Sequence, residues 1–150
     1  MKTWKQIALI LMAAVIAAVV SAFVHPKRPA WYYVEDPDVA RWQITVEKAK
    51  ELIAADPVVL VDARKKDKYD EEHLPGAILL DTDRWEDSVE AAVDSLMTAF
   101  GRPVIVYCDG DRCAKSADVS QRLREQMGLD PVYILKGDWR ELVSVLPSAE

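Results

Sequence analysis

The sequence predicts an α/β fold: an open, mostly parallel sheet of five strands with helices on both faces. Three observations predict it. Val58-Val59-Leu60-Val61 and Val104-Ile105-Val106-Tyr107 are continuous apolar, largely β-branched runs, the pattern of strands buried on both faces. Segments of helical spacing separate the apolar runs. Single strands thus alternate with single helices, the order that gives a parallel sheet covered on both sides.

The elements follow in order. Gln43-Ile44-Thr45 reads as a short strand running into an N-cap at Thr45. Val46 to Ala54 is helical through Ala49, Leu52 and Ile53. Val58 to Val61 is the second strand. Asp67 to Glu72 suits a short acidic helical turn, and Ala77 to Leu80 reads as the third strand. Trp85 to Phe100 has helical spacing through Val89, Val93 and Met97, stopped by Gly101 and Pro103. Val104 to Tyr107 is the fourth strand. Ala114 to Met127 is a long helix ended by Gly128, and Pro131 to Leu135 is the fifth strand. Trp139 to Val145 is a last helix before Pro147.

The domain plan is an apolar segment over 1–24, a linker over 25–42, one α/β domain over 43–146 and a tail over 147–150. His25-Pro26-Lys27-Arg28-Pro29 cannot continue a helix, because proline lacks the N–H and restricts its predecessor. All 25 acids lie from Glu35 onward, whereas Lys2, Lys5, Lys27 and Arg28 precede it, so the α/β part carries a net charge of about −10. A nucleic-acid partner is excluded on that ground, since phosphate binding needs a basic face.

Ile7 to Val24 contains no charge and would span roughly 27 Å as a helix, close to a bilayer's hydrocarbon thickness. Trp4 precedes it and Trp31, Tyr32 and Tyr33 follow, as interfacial aromatics would. The expectation is a single-pass anchor that also makes the membrane a partner. Lys2 and Lys5 weigh slightly against Lys27 and Arg28, which puts the domain outside the cytoplasm, on the periplasmic side in a Gram-negative cell. The alternative is a signal peptide cleaved near Val20-Ser21-Ala22, releasing a secreted or periplasmic domain.

Cys108 is the strongest chemical signal. It ends the fourth strand and opens Cys108-Asp109-Gly110-Asp111-Arg112-Cys113, with a helix following. Unpaired N–H groups and the dipole at a helix start favour a thiolate, and the thiolate is the nucleophile. The alternative is a buried strand cysteine that only packs. In parallel sheets ligands bind at the carboxyl ends of the strands, which is where Cys108 lies.

The chain resembles a single-domain rhodanese, a sulfurtransferase, over roughly residues 43 to 145. Three segments carry the resemblance. They are Val61-Asp62-Ala63-Arg64 with Tyr69-Asp70-Glu71-Glu72-His73-Leu74-Pro75-Gly76-Ala77; Val106-Tyr107-Cys108 with Gly110 and Arg112; and Leu135-Lys136-Gly137-Asp138-Trp139. The resemblance implies that Cys108 accepts a sulfane sulfur as a persulfide and passes it to a thiophile, without a cofactor. It also implies that the N–H groups of residues 109 to 113 cradle the outer sulfur. A ring of such donors stabilises negative charge without a metal.

Within that loop Asp109 and Asp111 would repel an anionic donor, which makes a protein persulfide or a less charged sulfur donor the better expectation. Arg112 is a candidate for holding an anionic donor or a solvated loop residue. Cys113 is either a small packing residue or a resolving thiol. Asp62, Arg64 and Trp139 are candidate pocket residues, with an ion pair and a core anchor as their alternatives. His73 reads as a structural turn residue rather than a base. Two cysteines and two distant histidines make no metal set. Two other functions stay open beside sulfur transfer: a thiol–disulfide redox protein using Cys108 and Cys113, and a rhodanese-like binding module without turnover. A phosphatase loop would need its Arg six positions after Cys, where Ala114 stands.

Overall fold

The structure, a computed structural model, describes residues 2–24, 37–110 and 114–146. The chain divides into two compact units, Met1–Glu35 and Asp36–Glu150. The residues flanking the apolar segment at 25–36, the loop residues Asp111, Arg112 and Cys113, and the tail at 147–150 lie outside the described residues.

The first unit holds one helix, α1 (Lys2–Val24). Its described apolar side chains, among them Ile7, Leu9, Ile10, Leu11, Val15 and Ile16, are exposed. Among the described residues no helix is long and apolar enough to cross a membrane. The expected transmembrane helix is therefore not carried by the structure. The side chains at 17–20 and 22–24 lie outside the described residues.

The second unit is the expected parallel sheet. Its strands are β1 (Gln43–Thr45), β2 (Val59–Asp62), β3 (Ile78–Leu79), β4 (Val104–Tyr107) and β5 (Val132–Lys136), in the order β1-β5-β4-β2-β3. Every pairing is parallel. The connecting helices are α2 (Pro37–Ala40), α3 (Val46–Ala55), α4 (Lys66–Glu71), α5 (Trp85–Met97) and α6 (Ala114–Glu125). α2 falls inside the expected linker, with Pro37 at the first helical position, where its missing N–H costs nothing. Thr45 caps α3 as expected, accepting from the Lys48 N–H at 3.3 Å.

The central strands β2 and β4 are buried throughout, as their unbroken apolar runs require. Side chains alternate between two core clusters. Val59, Val61, Ala63, Val104, Val106 and Cys108 face one side, with Trp85 and Leu96 of α5 and Val119 and Leu123 of α6. Leu60, Ile105 and Tyr107 face the other, with Val46 and Ala49 of α3 and with Trp139 and Leu142. The two-residue period of a strand thus sends Tyr107 and Cys108 to opposite faces.

The last helix forms over Trp139–Val145 as expected, as a 3-10 helix. Its two buried residues, Trp139 and Leu142, are three apart, the spacing that stacks in a 3-10 turn, and Asp138 caps it by accepting from the Arg140 N–H at 3.0 Å. A 3-10 turn at Thr82–Arg84, capped by Asp81, precedes α5 and had no clear sequence signal. In α5 the spacing through Val93 and Met97 is not the buried stripe, since both are exposed. Trp85, Val89, Ala92 and Leu96, at alternating steps of four and three, form the stripe instead.

Candidate active site

β4 delivers Cys108 to the carboxyl edge of the sheet, where it is 4% exposed. Asp109 and Gly110 then leave the strand; both are exposed, and Gly110 takes φ +93°, a backbone conformation that favours glycine. α6 begins at Ala114, so the chain turns from strand to helix within six residues. The expected cradle of N–H groups falls mostly on Asp111, Arg112 and Cys113, outside the described residues.

Cys108 is disulfide-bonded in this structure. The only other cysteine in the sequence is Cys113. The Cys108 sulfur also lies 3.4 Å from Ser116 Oγ and 3.8 Å from the Gly110 carbonyl oxygen. Ser116 is in the first turn of α6 and is 2% exposed. No sequence motif singled it out; it sits eight residues beyond Cys108, and only the docking of α6 on the sheet brings it to the sulfur.

The candidate pocket residues Asp62, Arg64 and Trp139 come together beside Tyr107 and Asp109. Asp62 is fully buried at the end of β2, directly opposite Tyr107 of β4. Its Oδ1 accepts from Arg64 Nε at 3.0 Å and its Oδ2 from Arg64 Nη2 at 2.7 Å. Arg64 Nη2 also donates to the Glu72 carbonyl, and Nη1 to Asp109 Oδ1 at 3.2 Å. Burial works against the Arg64 charge, but the hydrogen bonds and field of Asp62, with Asp109 behind it, more than compensate and hold the guanidinium more firmly protonated than usual.

Trp139 completes this group. Its Nε1–H donates to Asp109 Oδ1 at 3.4 Å, and the Arg64 guanidinium lies 4.5 Å from its ring centre. Arg140 lies 4.5 Å from the same ring and pairs with Glu72 at 3.0 Å. Trp139 can pack so closely because Gly137 precedes it: at φ +123°, a Cβ there would stand 2.7 Å from Val46 Cγ2. The Tyr107 hydroxyl accepts from the Leu74 N–H at 3.1 Å, and burial, reinforced by the Asp62 charge, pushes its ionisation far above the usual range.

A cavity of about 700 Å³ opens beside the group, lined by Arg64, Lys68, Glu71, Glu72, Asp109 and Arg140. Each cation there already has a carboxylate partner: Asp62 and Asp109 for Arg64, Glu71 for Lys68, and Glu72 and Asp138 for Arg140. A second cavity of about 370 Å³ is lined by Asp109, Gly110 and the 137–140 turn. His73 turns its Nδ1 to the Tyr69 carbonyl at 2.8 Å and stacks on the Tyr69 ring, a turn-bracing position. Among the described residues no cluster of His, Cys, Asp or Glu could hold a metal ion.

The α/β domain is similar to known proteins. A family model, the rhodanese-like domain, matches residues 45–144. The chain belongs to the rhodanese-like family. Over 108 residues this rhodanese-like chain is 32% identical to the thiosulfate sulfurtransferase GlpE of Coxiella burnetii (strain RSA 331 / Henzerling II), covering 72% of this chain and 92% of that protein. It also resembles the crystal structure of the BH2092 protein from Bacillus halodurans, with a TM-score of 0.52 and 22% identity, over 71% of this chain and 82% of that one. That second likeness is one of fold alone.

Proposed function

We propose that this rhodanese-like domain is a sulfurtransferase that carries sulfane sulfur on Cys108. The observation that carries the reading is the placement of Cys108: at the carboxyl end of a buried central strand, with a glycine turn and a helix start following directly. The cycle begins when an external dithiol reductant exchanges with the Cys108 disulfide, is itself oxidised to a disulfide, and releases Cys108 as the thiolate. The thiolate attacks the outer sulfur of a donor; the donor's sulfur–sulfur bond breaks and the donor departs with the electron pair. Cys108 then holds the sulfur as a persulfide. An acceptor thiolate attacks that outer sulfur, the bond to Cys108 Sγ breaks, and the Cys108 thiolate is restored.

The donor class follows from charge. With Asp109 next to the cysteine in the chain and every described cavity cation already paired, a dianion such as thiosulfate gains little. A small persulfide or a protein persulfide suits the site better, even though the GlpE relative is named for thiosulfate. The uncharged Ile7–Val24 run supports a tether that holds the domain at a membrane, on its outer side. Resistance of the full-length protein to an alkaline carbonate wash of membranes tests the tether; extraction by that wash would refute it.

The bonded state of Cys108 favours one second reading, a thiol–disulfide redox protein that pairs Cys108 with Cys113. Intact-mass spectrometry separates the two. The reduced protein, exposed to a sulfane-sulfur donor, should gain one sulfur atom in a manner that needs Cys108 and is reversed by cyanide. Loss of two hydrogens without sulfur gain, abolished by Cys113→Ser, would instead establish the redox pair. Neither change would leave a binding module without turnover.

A further inference from the structure

We propose that the Ser116 hydroxyl is a catalytic group, donating a hydrogen bond to Cys108 Sγ that stabilises the sulfur whenever it carries charge. The inference rests on Cys108 being the nucleophile of the proposed sulfurtransferase.

The geometry is direct. Ser116 Oγ stands 3.4 Å from Cys108 Sγ, and both side chains are buried, at 2% and 4% exposure. A sulfur in a disulfide has no proton to give, so a hydrogen bond across this contact has the hydroxyl as its donor. When the bond is reduced to a thiolate, the same donor faces a full negative charge in a site shielded from water. Hydrogen bonds to an ionised partner are about twice as strong as neutral ones. The contact therefore favours S⁻ over SH and lowers the proton affinity of the thiol.

The same bond acts in both halves of the proposed cycle. It stabilises the thiolate before sulfur is taken up. When the acceptor removes the outer sulfur, Cys108 Sγ leaves as a thiolate, and a stabilised leaving thiolate departs faster. Among the described residues, the neighbouring cations have carboxylate partners: Arg64 is bound to Asp62 and Asp109, and Lys115 of α6 lies 3.6 Å from Asp83.

α6 supplies an internal comparison. Ser120, one turn further along, is fully buried, and its hydroxyl has no hydrogen-bond partner. A buried hydroxyl costs free energy in a helix that alanine would suit better. Ser120 bears that cost, whereas Ser116 lies beside the sulfur.

The test uses the full-length protein with Cys113→Ser, so that Cys108 is the only thiol, in three versions: otherwise unchanged, with Ser116→Ala, and with Ser120→Ala. Cys108 alkylation by iodoacetamide is followed from pH 5 to pH 10. Ser116→Ala should raise the apparent thiol pKa by about one unit and slow alkylation about tenfold at neutral pH, while leaving the high-pH plateau unchanged or slightly faster. Ser116→Thr, which keeps the hydroxyl, should restore the profile, and Ser120→Ala should match the parent. A Ser116→Ala profile lying on the parent's, or falling equally at all pH values, overturns the proposal. Sulfur uptake by the parent is measured alongside: a profile that shifts in a protein gaining no sulfur refutes the carrier role and leaves the hydrogen bond standing.

Discussion

β2 and β4 lie side by side in the sheet, and each delivers a chemically capable residue to the same edge. β2 ends in Asp62, directly opposite Tyr107, the last residue of β4. Asp62 accepts four hydrogen bonds from Arg64 and is sealed from water. Cys108, one residue beyond Tyr107, faces the other side of the sheet, among apolar neighbours and a serine hydroxyl. The two ends share a place in the fold but differ in partners. A charge surrounded by fixed partners braces the edge; a disulfide-bonded sulfur can exchange its bond.

The comparison can be broken from the β2 side first. Asp62→Ala would leave the Arg64 guanidinium buried with its main counter-charge removed. The cost should be about 3–5 kcal/mol of unfolding free energy, measured by denaturant titration. A loss comparable to that of an exposed ion pair would mean that Arg64 relaxes to solvent and that Asp62 is no brace. Cys108→Ser, which leaves the packing nearly intact once the disulfide is reduced, should cost far less under reducing conditions.

Tyr107 sharpens the comparison through pH. Burial, then the Asp62 field, holds its folded-state ionisation well above the usual value, while in the unfolded chain it ionises near pH 10. Its protonated form therefore contributes fully below about pH 10, and that contribution falls as pH rises above it. Above pH 10 the parent should lose about 1.4 kcal/mol per pH unit more than Tyr107→Phe. At neutral pH the variant should be about 1 kcal/mol less stable, because the buried Leu74 N–H loses its acceptor. Parallel alkaline slopes would show that Tyr107 ionises without unfolding.

Asp109 joins the two ends, and its removal has the smallest expected effect. Its carboxylate follows Cys108 in the chain yet bonds Arg64 and Trp139. Asp109→Asn removes one negative charge at the mouth of both cavities. KM for thiosulfate should fall about three- to tenfold with kcat little changed, and the gain should shrink in high salt. An unchanged KM would show that the carboxylates at the cavity mouth do not select the donor.

The sequence by itself determined the strand–helix order, the parallel sheet and the place of Cys108 at a strand's carboxyl end. Those follow from local patterns: continuous β-branched runs, helical spacing and turn residues each act within a few neighbours. It misplaced the buried stripe of α5, because Val93 and Met97 have the right period and only the neighbouring sheet selects Trp85, Val89, Ala92 and Leu96. Which partners Asp62 and Arg64 would find was open in the sequence. The pairing of β2 with β4 and the turn before Trp139 settled it, through contacts between residues 45 and 30 positions apart. Ser116 was silent for the same reason. A serine in the first turn of a helix carries no message until α6 docks against β4, and the distance from its hydroxyl to the Cys108 sulfur is a property of tertiary packing alone.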